Sequence, residues 1–366
     1  MSADDSQAVE CGQNIRNYAI DFIRFAFAVA IVYFHILHSS IMPYVKGVEQ
    51  YQKLRDFSDC AATIVECFFI LSGFFLSKTF HRHRDNSMCE FAWHKFVRLW
   101  PVLAFYFTLM VVFFNGRVYQ AIYNVCFLQC IGLTADMRGI TWYISPLFWA
   151  TLFYFGLMKC ISDTTRRNFI VGIIVYLGYL ANMTAANGVF SRNTVYGMIP
   201  LSLARGLAGI GMGILISEWH TALSISRRKG IVQCVLCTAA EVVSLSLLCI
   251  DFFYKPLANK NQFIVVMAFS SLLLAVALGN GLLTRMLNRR GLGFCGRYSY
   301  SVYVMQSISF LLLTRIFWRP YGDFVSGHVL ITLMASLVFS VVLGICTYYA
   351  IELPGKKILS RWRDLA

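Results

Sequence analysis

Charge is what this chain has least of. Only 14% of its 366 residues are Asp, Glu, Lys or Arg, whereas soluble domains carry about 25%. Internal repeats and low-complexity segments are absent, and no loop between apolar runs exceeds about 25 residues, so a separate folded extramembrane domain is not expected. The first residues, MSADDSQAVECGQ, lack a basic n-region and a small-residue cleavage site, so the first apolar stretch reads as a retained span and not as a signal peptide. No helical HExxH motif is present and no serine sits in a nucleophile elbow.

Apolar residues fill the space that charge leaves. They make up 58% of the chain, aromatics 16%, and mean hydropathy is +0.62. This excludes a soluble enzyme and points to an all-α, multi-pass protein of the cell (inner or plasma) membrane. Ten runs are long enough to span: 20–42, 57–80, 97–114, 140–160, 168–186, 195–217, 231–253, 262–283, 298–318 and 326–351. Residues 117–135 are apolar but short, and read as an interfacial or re-entrant helix. The expected organisation is a segment 1–19, a membrane domain 20–354 and a basic tail 355–366.

The net charge of +14 does not imply a nucleic-acid partner, because the basic residues sit in short loops between the runs. With the N-terminus in the cytoplasm, 20 of the 32 Lys and Arg fall on the cytoplasmic side and 10 on the other, with Arg24 and Arg205 inside spans. This asymmetry predicts an even number of spans with both termini inside. The 12 cysteines lie mostly singly inside apolar runs; Cys234 and Cys237 form a CxxC with no second ligand pair, so they read as small hydrophobes and no metal is expected.

Three residues of the first span, DFIRFAFAVAIVYFH, are costly in hydrocarbon: Asp21, Arg24 and His35. On a helix they point to about 0°, 300° and 320°, one stripe, with Arg24 and His35 about 16 Å apart along the axis. A snorkelling anchor and a core histidine are the plain readings; a cation and a titratable base on one face is the functional one. His38 follows one turn on, without a carboxylate companion that would suggest a metal.

Other polar groups extend the set. Glu66 precedes CFFILSGFFL and reads as a partner for His35, a hydroxyl-holding group or an interhelical hydrogen bond; Ser72 and Gly73 follow. Lys95 and Arg98, spaced i and i+3 before Trp100–Pro101, suit phosphate binding or lipid head groups. Arg205 lies mid-span beside RGLAGIGMGIL, whose glycines read as helix-packing residues because no βαβ context surrounds them.

Taken together the motifs resemble the acyltransferase-3 family of integral membrane proteins, which O-acetylate bacterial surface polysaccharides and related acceptors. The match spans nearly the whole chain. It includes Asp21-x-x-Arg24 followed by ten residues and His35, and Glu66 with FFILSGF at 68–74. Next come Lys95-x-x-Arg98-x-x-Pro101 and Trp142-Tyr143-Ile144-Ser145. The last are Ser299-Tyr300-Ser301-Val302-Tyr303 and Ile351-Glu352-Leu353-Pro354. Two positions depart: Lys95 stands where the family has an arginine, losing the bidentate fork, and Gln306 where many members have a histidine. A fused esterase-like domain is not seen.

The resemblance implies transfer of an acetyl or other short acyl group from cytoplasmic acyl-CoA, such as acetyl-CoA, to a hydroxyl of a cell-surface glycan or its lipid-linked precursor. It implies Arg24, Lys95 and Arg98 as phosphate ligands and His35, Asp21 and Glu66 as catalytic residues. Trp142, Tyr143, Ser72 and Arg205 would line a substrate channel. A transporter or flippase of a glycan or lipid-linked sugar is the competing class, weakened by the lack of repeat halves.

Overall fold

The computed structural model of the protein describes residues 17–45, 47–49, 51–52, 62–137, 139–186, 195–196, 198–225, 230–253 and 262–365. The N-terminal segment up to residue 16 thus lies outside the described residues. Every predicted span is met by a helix. In chain order they are α1 (Tyr18–His35), α2 (Ala62–His83), α3 (Met88–Phe113), the short α4 (Val118–Val125), α5 (Ile144–Cys160) and α6 (Thr164–Ala186). Then follow α7 (Leu201–Ile225), α8 (Ile231–Phe253), α9 (Gln262–Leu278), α10 (Ser299–Leu313), α11 (Val329–Thr347) and α12 (Leu353–Leu365). Among the described residues seven helical stretches are long and apolar enough to cross a membrane, and α5 and α9 are apolar at 17 residues each. At 8 residues, α4 is about 12 Å long and does not span.

Two helix starts differ most from the expectation. α3 begins at Met88, inside the polar loop, because Ser87 and Glu90 form a capping box: Glu90 N donates to Ser87 Oγ at 3.1 Å and Ser87 N to Glu90 Oε2 at 2.8 Å. Lys95 and Arg98 therefore sit on a helix, one turn apart. α7 starts at Leu201, because Pro200 keeps Ile199 extended; Val195–Tyr196 pairs antiparallel with Ile199–Pro200 instead.

α7 is the centre of one half of the molecule. Buried residues make up 78% of its apolar window, against 17% for α8. Its glycines let three neighbouring helices approach. A Cβ on Gly206 would lie 3.0 Å from Pro146 Cβ of α5, and one on Gly209 would lie 2.6 Å from Phe69 Cβ of α2. One on Gly211 would lie 2.7 Å from Val175 of α6, and one on Gly213 would overlap the Ile70 carbonyl of α2. Small-residue seams of this kind are how membrane helices gain van der Waals contact without a hydrophobic driving force. A buried ion pair fastens the same seam: Arg205 Nε donates to Glu66 Oε2 at 2.7 Å, and Tyr179 OH to Glu66 Oε1 at 2.6 Å.

The other half is built from α1, α10 and α11. Asn17 caps α1 by accepting from Ile20 N at 3.2 Å, and its amide donates to the Val276 carbonyl of α9 at 2.9 Å. Gly344 of α11 packs so closely that a Cβ would lie 2.5 Å from Val302 Cα of α10. Ser309 and Ser340 hydroxyls bond across the same seam at 2.7 Å. Three π-helical segments, Ile36–Ser40, Thr314–Trp318 and Tyr348–Glu352, prolong α1, prolong α10 and join α11 to α12.

Gly213→Ala should destabilise the purified protein by about 1–3 kcal/mol through overpacking, whereas Gly172→Ala, where nothing lies within 4 Å, should leave the thermal midpoint unchanged or raised. Replacing Arg205 alone by Met should cost about 3–5 kcal/mol by stranding the Glu66 carboxylate. The double change Glu66→Leu with Arg205→Met should recover most of that loss, as read from thermal unfolding in detergent.

Candidate active site

Between the two halves lies a cavity of about 920 Å³. Its walls come from α1, α2, α3, α5, α7, α9, α10, α12 and the segment before α10. Asp21 and Arg24 enter from α1. Arg24 Nη2 donates to Asp21 Oδ1 at 3.1 Å and to the Gly296 carbonyl at 2.8 Å. The 3₁₀ segment Phe294–Tyr298 reaches α1 this closely because Gly296 has no side chain: a Cβ there would lie 2.8 Å from Asp21 Cβ. Arg24 is thereby fixed at the wall with one acidic partner and one carbonyl.

The hairpin of α2 and α3 supplies most of the remaining charge. Lys78, Arg82 and His83 line the cavity from the end of α2, and His94, Lys95 and Arg98 from the start of α3. The His83 and His94 rings lie 5.8 Å apart across the hairpin. Lys95 Nζ lies 5.2 Å from the Phe91 ring centroid. Lys78 Nζ donates to His220 Nδ1 of α7 at 2.7 Å, and His220 Nε2 donates to the Ala277 carbonyl at 3.1 Å. Arg297 stacks at 3.4 Å from the Phe294 ring centroid. Lys356 meets Glu352.

Among the described residues seven Lys and Arg therefore face the cavity, with two acids, Asp21 and Glu352. Both acids are already paired, with Arg24 and Lys356. Lys78, Arg82, Lys95, Arg98 and Arg297 form no ion pair with any described residue. A group of unmatched cations around one space attracts a polyanion.

The inner end is aromatic. Phe68, Tyr143 and Tyr303 line it, with the Tyr143 and Tyr303 rings 4.7 Å apart edge to face and Phe68 6.4 Å from Tyr143. A loop presents Trp142 and Tyr143. Thr141 N donates to Asp136 Oδ2 at 3.1 Å and its hydroxyl also donates to Asp136, which turns the chain into α5. Burial pushes the Asp136 carboxyl above its ordinary value, against the lowering effect of these bonds. Tyr303 OH donates to the Ile140 carbonyl and ties α10 to the loop.

Six of the residues singled out in the sequence meet at this cavity: Asp21, Arg24, Ser72, Lys95, Arg98 and Tyr143. Four do not line it. Glu66 and Arg205 bind each other, and the Arg205 guanidinium lies 5.0 Å from the Trp142 ring centroid, so this trio stands behind the aromatic end. His35 lies at the end of α1, half-buried, where the helix loosens into the π segment. His38 stacks on Phe34 at 4.2 Å, and its Nδ1 lies 3.2 Å from the Phe34 carbonyl. The sequence reading missed Lys78, Arg82, His83, His94, His220, Arg297 and Lys356 as lining groups. Lys78 lies at the end of the second run, and Arg82, His83 and His94 lie between the second and third runs. Arg297 lies two residues before the Ser-Tyr motif, and Lys356 lies one turn after Glu352. His220 had no signal, because its place depends on how α7 meets α2.

The acyltransferase-3 family model, described as an acyltransferase domain, matches residues 17–350. Searches of curated proteins and of solved structures returned no match. The matched region holds all the motifs around the cavity except Glu352 and the residues after it. The chain belongs to the acyltransferase-3 family and is a multi-pass membrane acyltransferase.

Proposed function

We propose that the protein moves an acetyl or similar short acyl group from cytoplasmic acyl-CoA to a hydroxyl of a cell-surface glycan or its lipid-linked precursor. The observation that carries the donor is the set of five cations without acidic partners around a cavity with an aromatic inner end. CoA matches that division: phosphates at one end, a neutral pantetheine arm and a thioester at the other. Charge-assisted bonds to phosphate are shorter and stronger than neutral ones.

In this reading both termini are cytoplasmic and the cavity mouth faces the cytoplasm. Arg24, Lys95 and Arg98 hold phosphates, and Asp21 aims Arg24. The arm passes Ser72, Tyr143 and Tyr303 toward His35. Arg24 and His35 are separated by about 16 Å of helix, a distance comparable to the extended pantetheine arm. His35 takes the proton from the acceptor hydroxyl as its oxygen attacks the thioester carbonyl. The carbon–oxygen bond forms, the carbon–sulfur bond breaks, and the proton passes to the departing CoA thiolate. In a two-step variant the imidazole itself receives the acyl group and passes it on. Glu66 and Arg205 contribute by holding Trp142, and through it the wall at Tyr143.

Membranes containing the protein, given acetyl-CoA labelled in the acetyl group, should release CoA and place label on a glycan fraction; a transporter would do neither. His35→Ala should abolish transfer while acetyl-CoA binding stays within about twofold, since the residue acts on the bond and not on the phosphates. Transfer retained in that variant would remove His35 from the reaction. Arg98→Gln should raise the acetyl-CoA Kd about tenfold by removing a charge-assisted contact, and the difference should shrink as salt screens the remaining attraction.

A further inference from the structure

We infer that the C-terminal helix α12 is a working wall of the donor cavity: Lys356 binds a phosphate of the acyl-CoA, and Glu352 aims it. The inference rests on the acyl-CoA reading above and concerns residues beyond the matched region, which ends at 350.

Glu352 is 3% exposed and closes the π segment between α11 and α12. One carboxylate oxygen accepts from the Ser301 hydroxyl of α10, the other from the Lys356 ammonium one turn on. Both Glu352 and Lys356 line the cavity. A buried carboxylate with two fixed donors is a rigid reference point, and like Asp21 beside Arg24 it stands next to a cation in the cavity wall.

α12 is also seated firmly. Gly355 packs on Pro101 of α3, where a Cβ would lie 2.6 Å from Pro101 Cβ. Tyr300 OH donates to the Leu99 carbonyl at 2.6 Å, pinning α10 to the same turn. Pro101 lies three residues after Arg98, so this seam brings the start of α12 beside the Lys95–Arg98 turn. The Lys356 side chain is 31% exposed. Its ammonium has three donors, and Glu352 takes one, which leaves others for a phosphate in the cavity. Without Glu352 the long lysine stem would sample many rotamers, at an entropic cost on binding.

Charge alone and aiming predict opposite results at Glu352. If the carboxylate were only a negative charge in the wall, Glu352→Gln would tighten acetyl-CoA binding. If it aims Lys356, the same change weakens binding. The experiment uses the full-length protein in nanodiscs and measures Kd for acetyl-CoA and steady-state kinetics at several salt concentrations. Lys356→Gln should raise the Kd about tenfold, as loss of a charge-assisted bond does, and flatten its salt dependence. Lys356→Arg should restore the Kd to within about threefold, since charge and donors are kept. Glu352→Gln should raise KM for acetyl-CoA with kcat unchanged. Lys357→Gln, which removes the same charge from an exposed position on α12 that does not line the cavity, should leave binding as in the wild type.

Binding by Glu352→Gln as tight as, or tighter than, wild type overturns the aiming role. Equal Kd values for Lys356→Gln and Lys357→Gln overturn the phosphate contact, and that comparison stands even where Glu352→Gln does not fold. A wild type that binds no acetyl-CoA overturns the donor reading and this inference with it, whereas wild-type binding with unchanged variants overturns this inference alone.

Discussion

A charge inside a hydrocarbon layer costs several kcal/mol unless an opposite charge, a carbonyl or water meets it. This protein meets that demand in three ways, and its architecture follows from where each is used. Arg205 is met fully inside, by Glu66, with Trp142 against its face. Arg24 is met at the cavity wall, by Asp21 and the Gly296 carbonyl. Lys78, Arg82, Lys95, Arg98 and Arg297 are met by no acidic side chain among the described residues and share one water-accessible cavity. The step from cations with an acidic partner to cations without one marks the passage from scaffold to binding site.

The scaffold side is set by close approach. Glycines on successive faces of α7 admit α5, α2 and α6, and the Glu66–Arg205 pair lies in the same seam. Its role is geometric. It fixes α2 against α7, and through Trp142 it backs the loop that delivers Tyr143 to the cavity. Phe68 lies close to Tyr143 and Tyr303, so the second, fourth and fifth sequence motifs meet in one aromatic cluster. The third motif enters through Pro101, which packs on Gly355, the residue after the last motif.

The spans were legible because twenty apolar residues in a row have few other uses. Asp21 and Arg24 were legible because helical periodicity places them on one face, and that face does line the cavity. The start of α3 was misjudged by composition, which reads polar residues as loop; the Ser87–Glu90 capping box overrides that preference. The pairing of Glu66 with Arg205 was not legible, since the partners are 139 residues apart and nothing local to either names the other. Lys356 was invisible for a related reason: a lysine in a basic tail looks like any other until the tail folds back onto Pro101.

That separation of Glu66 from Arg205 also bears on how the molecule is made. During synthesis α2 enters the membrane well before α7 exists. Its carboxylate must wait, either protonated or in the wet interior of the insertion machinery, until Arg205 is delivered. Glu241 of α8 waits likewise for the backbone amides of Leu283 and Thr284 and for the Thr284 hydroxyl. The helices therefore cannot settle one by one in order of emergence. α2 stays provisional until α7 arrives, and α8 until the segment after α9 does.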